Sequence, residues 1–154
     1  MSELLKKELI PKLEIELETS TDVEKTFTDV FNEIDLMNGR QAYLETGSCC
    51  TVVLLRKEDG KNILYSANVG DSTAIISKNG IGEAISLDHK TSNDEECDRA
   101  EKDGGSFMMT GGGPFRLNGV LTVTRAFGDH QLKPKQGLIV DPTVNRIEVD
   151  DSIN

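Results

Sequence analysis

Apolar residues recur every fourth position at the start of the chain, at Leu5, Leu9, Leu13 and Leu17, which is the spacing of one helix face. Pro11 falls inside that stripe and is expected to kink or split the helix. Leu13, Ile15 and Leu17 also alternate with glutamates, which would suit a short strand, but the four-residue spacing favours helix. The next stripe, Val23, Phe27, Val30, Phe31 and Ile34, predicts an amphipathic helix over 21–36. Thr21 stands three residues before Glu24 at capping-box spacing, and Gly39 is placed to end the segment.

The period then changes. Residues 50–56 form a β-branched apolar run, and Asp59-Gly60 is a hairpin turn before a second strand at 63–69. A third strand is expected at 72–77, with Asn79-Gly80 turning it into a fourth at 81–87. The prediction is an antiparallel meander over 48–87. Ser92 is placed to cap a helix over 93–103 that stops at Gly104-Gly105. Further strands read at 107–109 and 116–123. Gly111-Gly112-Gly113-Pro114 between them reads as a flexible loop, since it opens no helix and so cannot act as a helix-based phosphate cradle.

This order of elements gives an α+β layered domain. Residues 1–46, with a single glycine, form a helical part; residues 47–154, with thirteen glycines, form a β-rich part with a short helix. Leu, Ile, Val and Phe make up 41 of 154 residues, enough to support a packed core. One domain, residues 1–154, is expected at this length.

Charge and cysteine usage narrow the partners. The 27 acidic and 17 basic residues give a net charge of −10, which opposes binding to nucleic acid or to anionic membrane. No apolar run reaches the length of a membrane span, and the N-terminus lacks the apolar core of a signal peptide. Three cysteines, two of them adjacent at Cys49 and Cys50, fit reduced thiols rather than a disulfide framework. The expected location is therefore cytoplasmic or nuclear.

Candidate chemistry is sparse. His89 and His130 each follow an aspartate, and both pairs read as surface turns. Gly70-Asp71-Ser72 closes a strand, which puts the Asp71 carboxylate at the rim of a sheet, where such groups usually bind local backbone amides. Serine-nucleophile, Walker, metalloprotease and calcium-loop motifs are absent.

The order of several short motifs carries further. Gly47-Ser48-Cys49-Cys50 precedes Ala67-Asn68-Val69-Gly70-Asp71-Ser72. Then follow Leu87-Asp88-His89-Lys90, Gly104-Gly105, Arg116-Leu117-Asn118-Gly119-Val120-Leu121 and Thr124-Arg125-Ala126-Phe127-Gly128-Asp129. This succession resembles the PPM family, the metal-dependent serine/threonine phosphatases of type 2C, over residues 47–142 and more faintly over 4–46. The resemblance implies a sandwich of antiparallel β-sheets flanked by helices. It also implies two Mg²⁺ or Mn²⁺ ions bridging an activated water, and phosphoprotein substrates.

The match has gaps. The family's Asp-Gly-His-Gly-Gly metal motif is absent, and the resemblance would put it just before Met1; an Ala-Ser-Asp-Gly-like strand would follow Asn154. The later Asp-Asn pair and the substrate-gripping arginine are missing too. The resemblance makes the chain an incomplete sandwich without its principal metal ligands, so metal binding and turnover are not expected. Two site positions carry over. Asp71 matches an aspartate that helps hold an additional metal ion, although one carboxylate alone binds Mg²⁺ weakly. Arg116 matches an arginine near the catalytic cleft, with a structural salt bridge as the alternative role. Thr73 stands where the family usually has arginine, and Cys49-Cys50 replace Thr-Ala. Asp88, Gly105, Arg125, Gly128 and Asp129 match scaffold positions.

Two functions follow: an enzyme domain that is inactive as this chain, or a pseudophosphatase that binds phosphoproteins or a protein partner. The missing strand also implies an exposed sheet edge near residues 52–55, marginal stability and self-association.

Overall fold

A computed structural model describes residues 1–37, 39–133, 135–150 and 153. Helix α1 (Ser2–Thr19) runs unbroken through Pro11 and buries Leu5, Leu9 and Leu13, while Ile15 is exposed. The expected break at Pro11 does not occur. Its ring lies on the solvent face, where water can satisfy the carbonyl one turn back that receives no N–H. Helix α2 (Val23–Leu36) is capped by Asp22, whose Oδ1 accepts the Lys25 N–H at 3.0 Å, so the cap lies one residue after Thr21. At the other end, Gly39 adopts φ +76° and its N–H reaches the Leu36 carbonyl at 2.9 Å.

The main sheet has three antiparallel strands: β2 (Cys50–Glu58), β3 (Lys61–Val69) and β9 (Thr143–Val149), with β3 in the centre. A short β1 (Gly47–Ser48) precedes it and pairs with β8 (Phe127–Gly128). The β2–β3 turn has φ of +47° at Asp59 and +83° at Gly60, the positive pair that matches the twist of the flanking strands. Strands β4 (Ile75–Lys78) and β5 (Ile81–Ala84) form a second hairpin over Asn79-Gly80. The meander therefore does not continue as one sheet. The ladder also closes earlier than expected, since the Ala74 N–H goes to Ser86 Oγ, at 2.8 Å.

Helix α3 (Asp94–Lys102) is capped by Asn93 rather than Ser92. Strands β6 (Phe107–Met109) and β7 (Phe115–Leu117) make the last hairpin. β7 ends well before residue 123 because Asn118 and Gly119 turn with φ of +50° and +74°.

Alternation along β3 decides what goes where. Ile63, Tyr65, Ala67 and Val69 face the helices and join Phe27, Val30, Phe31, Ile34 and Phe127 in the main core. Phe31 packs edge-on to Phe27 at 6.0 Å and against Phe127 at 5.0 Å. The opposite face carries Ser66 and Asn68. Ser66 Oγ donates to the Ile85 carbonyl, and Asn68 Nδ2 donates to the carbonyls of Leu87 (2.7 Å) and Gly70 (3.0 Å). Asn145 of β9 donates to Ile85 as well, so side-chain amides hold the 85–89 segment across the sheet. A smaller core of Ala100, Leu117, Ala126, Leu132 and Leu138 sits under α3.

Candidate functional site

Three groups of polar side chains gather around the ends of β1, β3 and β8. The first is the corner where the sequence reading put Asp71. Asp71 Oδ1 accepts the Cys49 thiol at 3.5 Å. The corner needs glycine twice. A Cβ on Gly70, which has φ +95°, would lie 2.2 Å from Cys49 Sγ, and one on Gly47 would lie 2.0 Å from Asp129 Oδ2. Burial pushes the Cys49 thiol up, and the carboxylates of Asp71 and Asp129 act in the same direction. Burial, with a contribution from Cys49, pushes Cys50 up to about 11, so neither thiol is a ready thiolate. Burial also raises the Asp129 carboxyl, with Lys133 and His130 opposing it.

His89 fixes this corner from beneath. The sequence reading put it on a surface turn; it is fully buried. Its backbone N–H donates to the Gly70 carbonyl at 2.9 Å, and its Nδ1 accepts the Gly70 N–H at 3.2 Å. Nε2 then carries the proton and donates to Thr143 Oγ1 at 2.8 Å. Burial, helped by the Arg125 charge, pushes the imidazole down to about 4. Asp88 points the other way, accepting from Lys90 Nζ (2.8 Å) and Thr73 Oγ1 (2.9 Å), and these bonds hold its carboxyl below the usual range. In extended backbone successive side chains face opposite sides, which is why one member of the Asp88-His89 pair is wet and the other dry.

The second group is buried under α2. Asp35 Oδ1 accepts the Gly128 N–H at 2.7 Å, and Oδ2 accepts from Lys133 Nζ. His130 is also buried rather than on a surface turn, and its Nε2 donates to the Asp35 carbonyl at 2.9 Å. Burial lowers the Lys133 ammonium, with Asp35 opposing. Sequence reasoning missed Asp35 and Lys133. A carboxylate in the last turn of a helix opposes the helix dipole, so Asp35 carried a signal that a cation lies beside it.

The third group ties α3 to the chain beyond β7. Glu96 accepts from Arg125 through both carboxylate oxygens, from Thr124 Oγ1 at 2.7 Å and from Arg99 at 3.4 Å. Burial alone would raise the Glu96 carboxyl, but the Arg125 and Thr124 hydrogen bonds and the two guanidinium charges outweigh it and bring it to about 2. Arg125 also donates to the Asp141 carbonyl at 2.8 Å, which anchors the approach to β9.

Arg116 lies on β7, and its Nη1 donates to the Val120 carbonyl at 2.8 Å, bracing its own turn. No described hydrogen bond or ion pair joins Arg116 to Asp71.

The comparisons with known proteins agree on one family. The protein phosphatase 2C family model matches residues 2–154. Probable protein phosphatase 2C 69 of Arabidopsis thaliana is 34% identical over 99% of this chain, which covers 42% of that protein. Probable protein phosphatase 2C 52 of Oryza sativa is 35% identical over 99% of this chain, which covers 30% of that protein. The chain thus spans less than half the length of these curated relatives. Among solved structures, a sex-determining protein of C. elegans superposes with a TM-score of 0.82 at 23% identity, over 99% of this chain and 38% of that one. A phosphatase from Toxoplasma gondii superposes with a TM-score of 0.81 at 19% identity, over 96% and 55%. These two similarities concern the fold. With the motif order, the family match and one-third identity along nearly its whole length, the chain belongs to the protein phosphatase 2C family.

Proposed function

We propose that this chain represents the central part of a phosphoserine/phosphothreonine phosphatase domain and that by itself it turns over no phosphate ester. The observation that carries this reading is the family match over residues 2–154 in a sequence without the Asp-Gly-His-Gly-Gly and Ser-Asp-Gly words.

Mg²⁺ and Mn²⁺ are hard ions that need several converging oxygens, and a two-metal centre needs enough of them for both ions. Among the described residues no three His, Cys, Asp or Glu side chains converge as a metal site. Asp71 is engaged by the Cys49 thiol and Asp88 by Lys90 and Thr73, while Asp129 sits in surroundings that favour its protonated form. The residues present do not fit a two-metal centre, and no catalytic step is assigned to them. Asp71 is the candidate for holding an additional Mg²⁺ or Mn²⁺ in a whole domain, and Arg116 the candidate next to its cleft. Cytoplasmic or nuclear residence belongs to the proposal, supported by three free cysteines.

A second reading, a pseudophosphatase module that binds a phosphoprotein or another protein, is favoured by a groove of about 610 Å³ between α1 and β2. Self-association through the β2 edge belongs with this reading. Purified chain incubated with p-nitrophenyl phosphate or a phosphothreonine peptide and Mg²⁺ or Mn²⁺ should release no phosphate. Release that EDTA abolishes would overturn the proposal. Calorimetric binding of the phosphopeptide without turnover, absent for the unphosphorylated peptide, would select the binding module.

A further inference from the structure

β2 is bonded along one side only. All nine of its residues pair with β3, and among the described residues no strand lies along its other side. Edge strands are ordinarily blunted by lysine, proline or a bulge. From Cys50 to Leu55 this one carries none of them. One face of β2 looks into the groove under α1, which is lined by Ile10, Leu17, Val52 and Leu54 and rimmed by Glu14 and Glu18. The other face exposes Val53 (50%) and Leu55 (62%).

We infer that β2 pairs antiparallel with β2 of a second copy of this chain, about a twofold axis at Leu54. The inference rests on the self-association reading and names its partner and register. Pairing centred on Leu54 sets Val53 opposite Leu55, Val52 opposite Arg56, Thr51 opposite Lys57 and Cys50 opposite Glu58, so all nine residues take part. Like faces meet, because each pair joins residues of the same parity. No two like charges stand directly opposite. Centring on Leu55 would set Val52 against Glu58 and Val53 against Lys57, and centring on Val53 would leave Lys57 and Glu58 without partners in the strand. The two three-stranded sheets become one continuous sheet. The apolar pair on its outer face is then Val53 with the partner copy's Leu55, twice over.

Charge favours a second copy over an arbitrary strand. The β2 face that enters the groove carries Val52, Leu54 and Arg56, so an apolar surface with a cation meets apolar walls with Glu14 and Glu18 at the rim. The opposing term is the net charge of −10 on each copy, a repulsion that salt screens. Association should therefore strengthen as salt is raised.

Sedimentation velocity on the purified full chain, from micromolar to submillimolar concentration and from low to high salt, tests the partner. The expected result is a monomer–dimer equilibrium that shifts toward dimer with salt. The double variant Val53→Lys/Leu55→Lys sets lysines opposite one another at exposed positions, so folding, checked by circular dichroism, is preserved while dimerisation weakens at least about tenfold. A chain that stays monomeric throughout overturns both this inference and the self-association reading. Dimerisation unaffected by the double variant overturns the β2 interface.

The register is tested separately. Directly opposite residues in antiparallel strands have Cα atoms about 4.5–5.5 Å apart, within disulfide range. Oxidised Leu54→Cys should give a covalent dimer whose peptide map links position 54 to itself, and Thr51→Cys should give none through position 51. The reverse pattern refutes the Leu54 axis while leaving self-association standing.

Discussion

Lowering the pH from 7 to 5 should destabilise this chain through His89. In the fold the imidazole is fully buried, Nδ1 already accepts the Gly70 N–H, and Arg125 adds an unfavourable positive charge, so it gains a proton only near pH 4. A second proton would turn Nδ1 into a donor facing another donor. In the unfolded chain the same ring takes up a proton near pH 6.5. Between those values the unfolded state binds more protons, so stability is fully present above about pH 6.5 and is lost as the pH falls toward 4. The shift from 6.5 to about 4 corresponds to about 3 kcal/mol in all, of which about 2 kcal/mol is lost between pH 7 and pH 5. Urea unfolding at both pH values, on the natural chain and on His89→Gln, isolates the contribution. The variant will be less stable at pH 7, but the two stabilities should converge by about 2 kcal/mol at pH 5. The ring can also be watched directly, since the chain has only two histidines. The His89 Cε1–H resonance should not move between pH 7 and pH 5.5. A midpoint near 6.5 in the folded protein, or parallel pH profiles for the two chains, would refute the reasoning.

Glu96→Gln removes the anion that Arg125 and Arg99 share and leaves both guanidinium groups partly buried without it. A loss of about 3–5 kcal/mol is expected in urea unfolding at neutral pH. Because the folded carboxyl titrates near 2 against an ordinary value near 4.5, that difference should narrow as the pH falls below 4.5. Gly128→Ala should prevent folding to the native state. The residue sits at φ +70°, and a Cβ there would lie 2.1 Å from the Thr46 carbonyl oxygen, so a collapsed thermal transition is the expected readout.

What the sequence made legible was local. Asp59-Gly60 and Asn79-Gly80 encode their turns in two residues each, and the Val23 to Ile34 stripe needs only its own spacing to be read. The caps came out one residue early, since Thr21 and Ser92 each stand beside a competing side chain, Asp22 and Asn93, that takes the amides instead. β9 escaped because Thr143–Val149 has no turn residue linking it to a neighbour, and its partner β3 lies far back in the chain. The buried ions escaped for the same reason: Glu96 and Arg125 meet only after folding. One clue was present, since Glu96 and Ala100 are four apart and share the inward face of α3. The motif order that gave the family carried no information on Asp35, Lys133 or the depth of the two histidines.

The central position of β3 also sets an order of assembly. Its pairing with β2 closes a two-residue turn, whereas its pairing with β9 first closes a loop of roughly seventy residues, at an entropic disadvantage of about 3 kcal/mol relative to the hairpin. Hairpins of this kind form in about 1–10 μs. β9 instead waits for the 85–89 segment to cross the sheet and for Arg125 to take hold of the Asp141 carbonyl. The last strand to arrive is also the first to leave. Backbone amides of Thr143–Val149 then open and exchange with solvent more freely than those shared by β2 and β3, and the same sheet is kinetically soft on one flank and firm on the other.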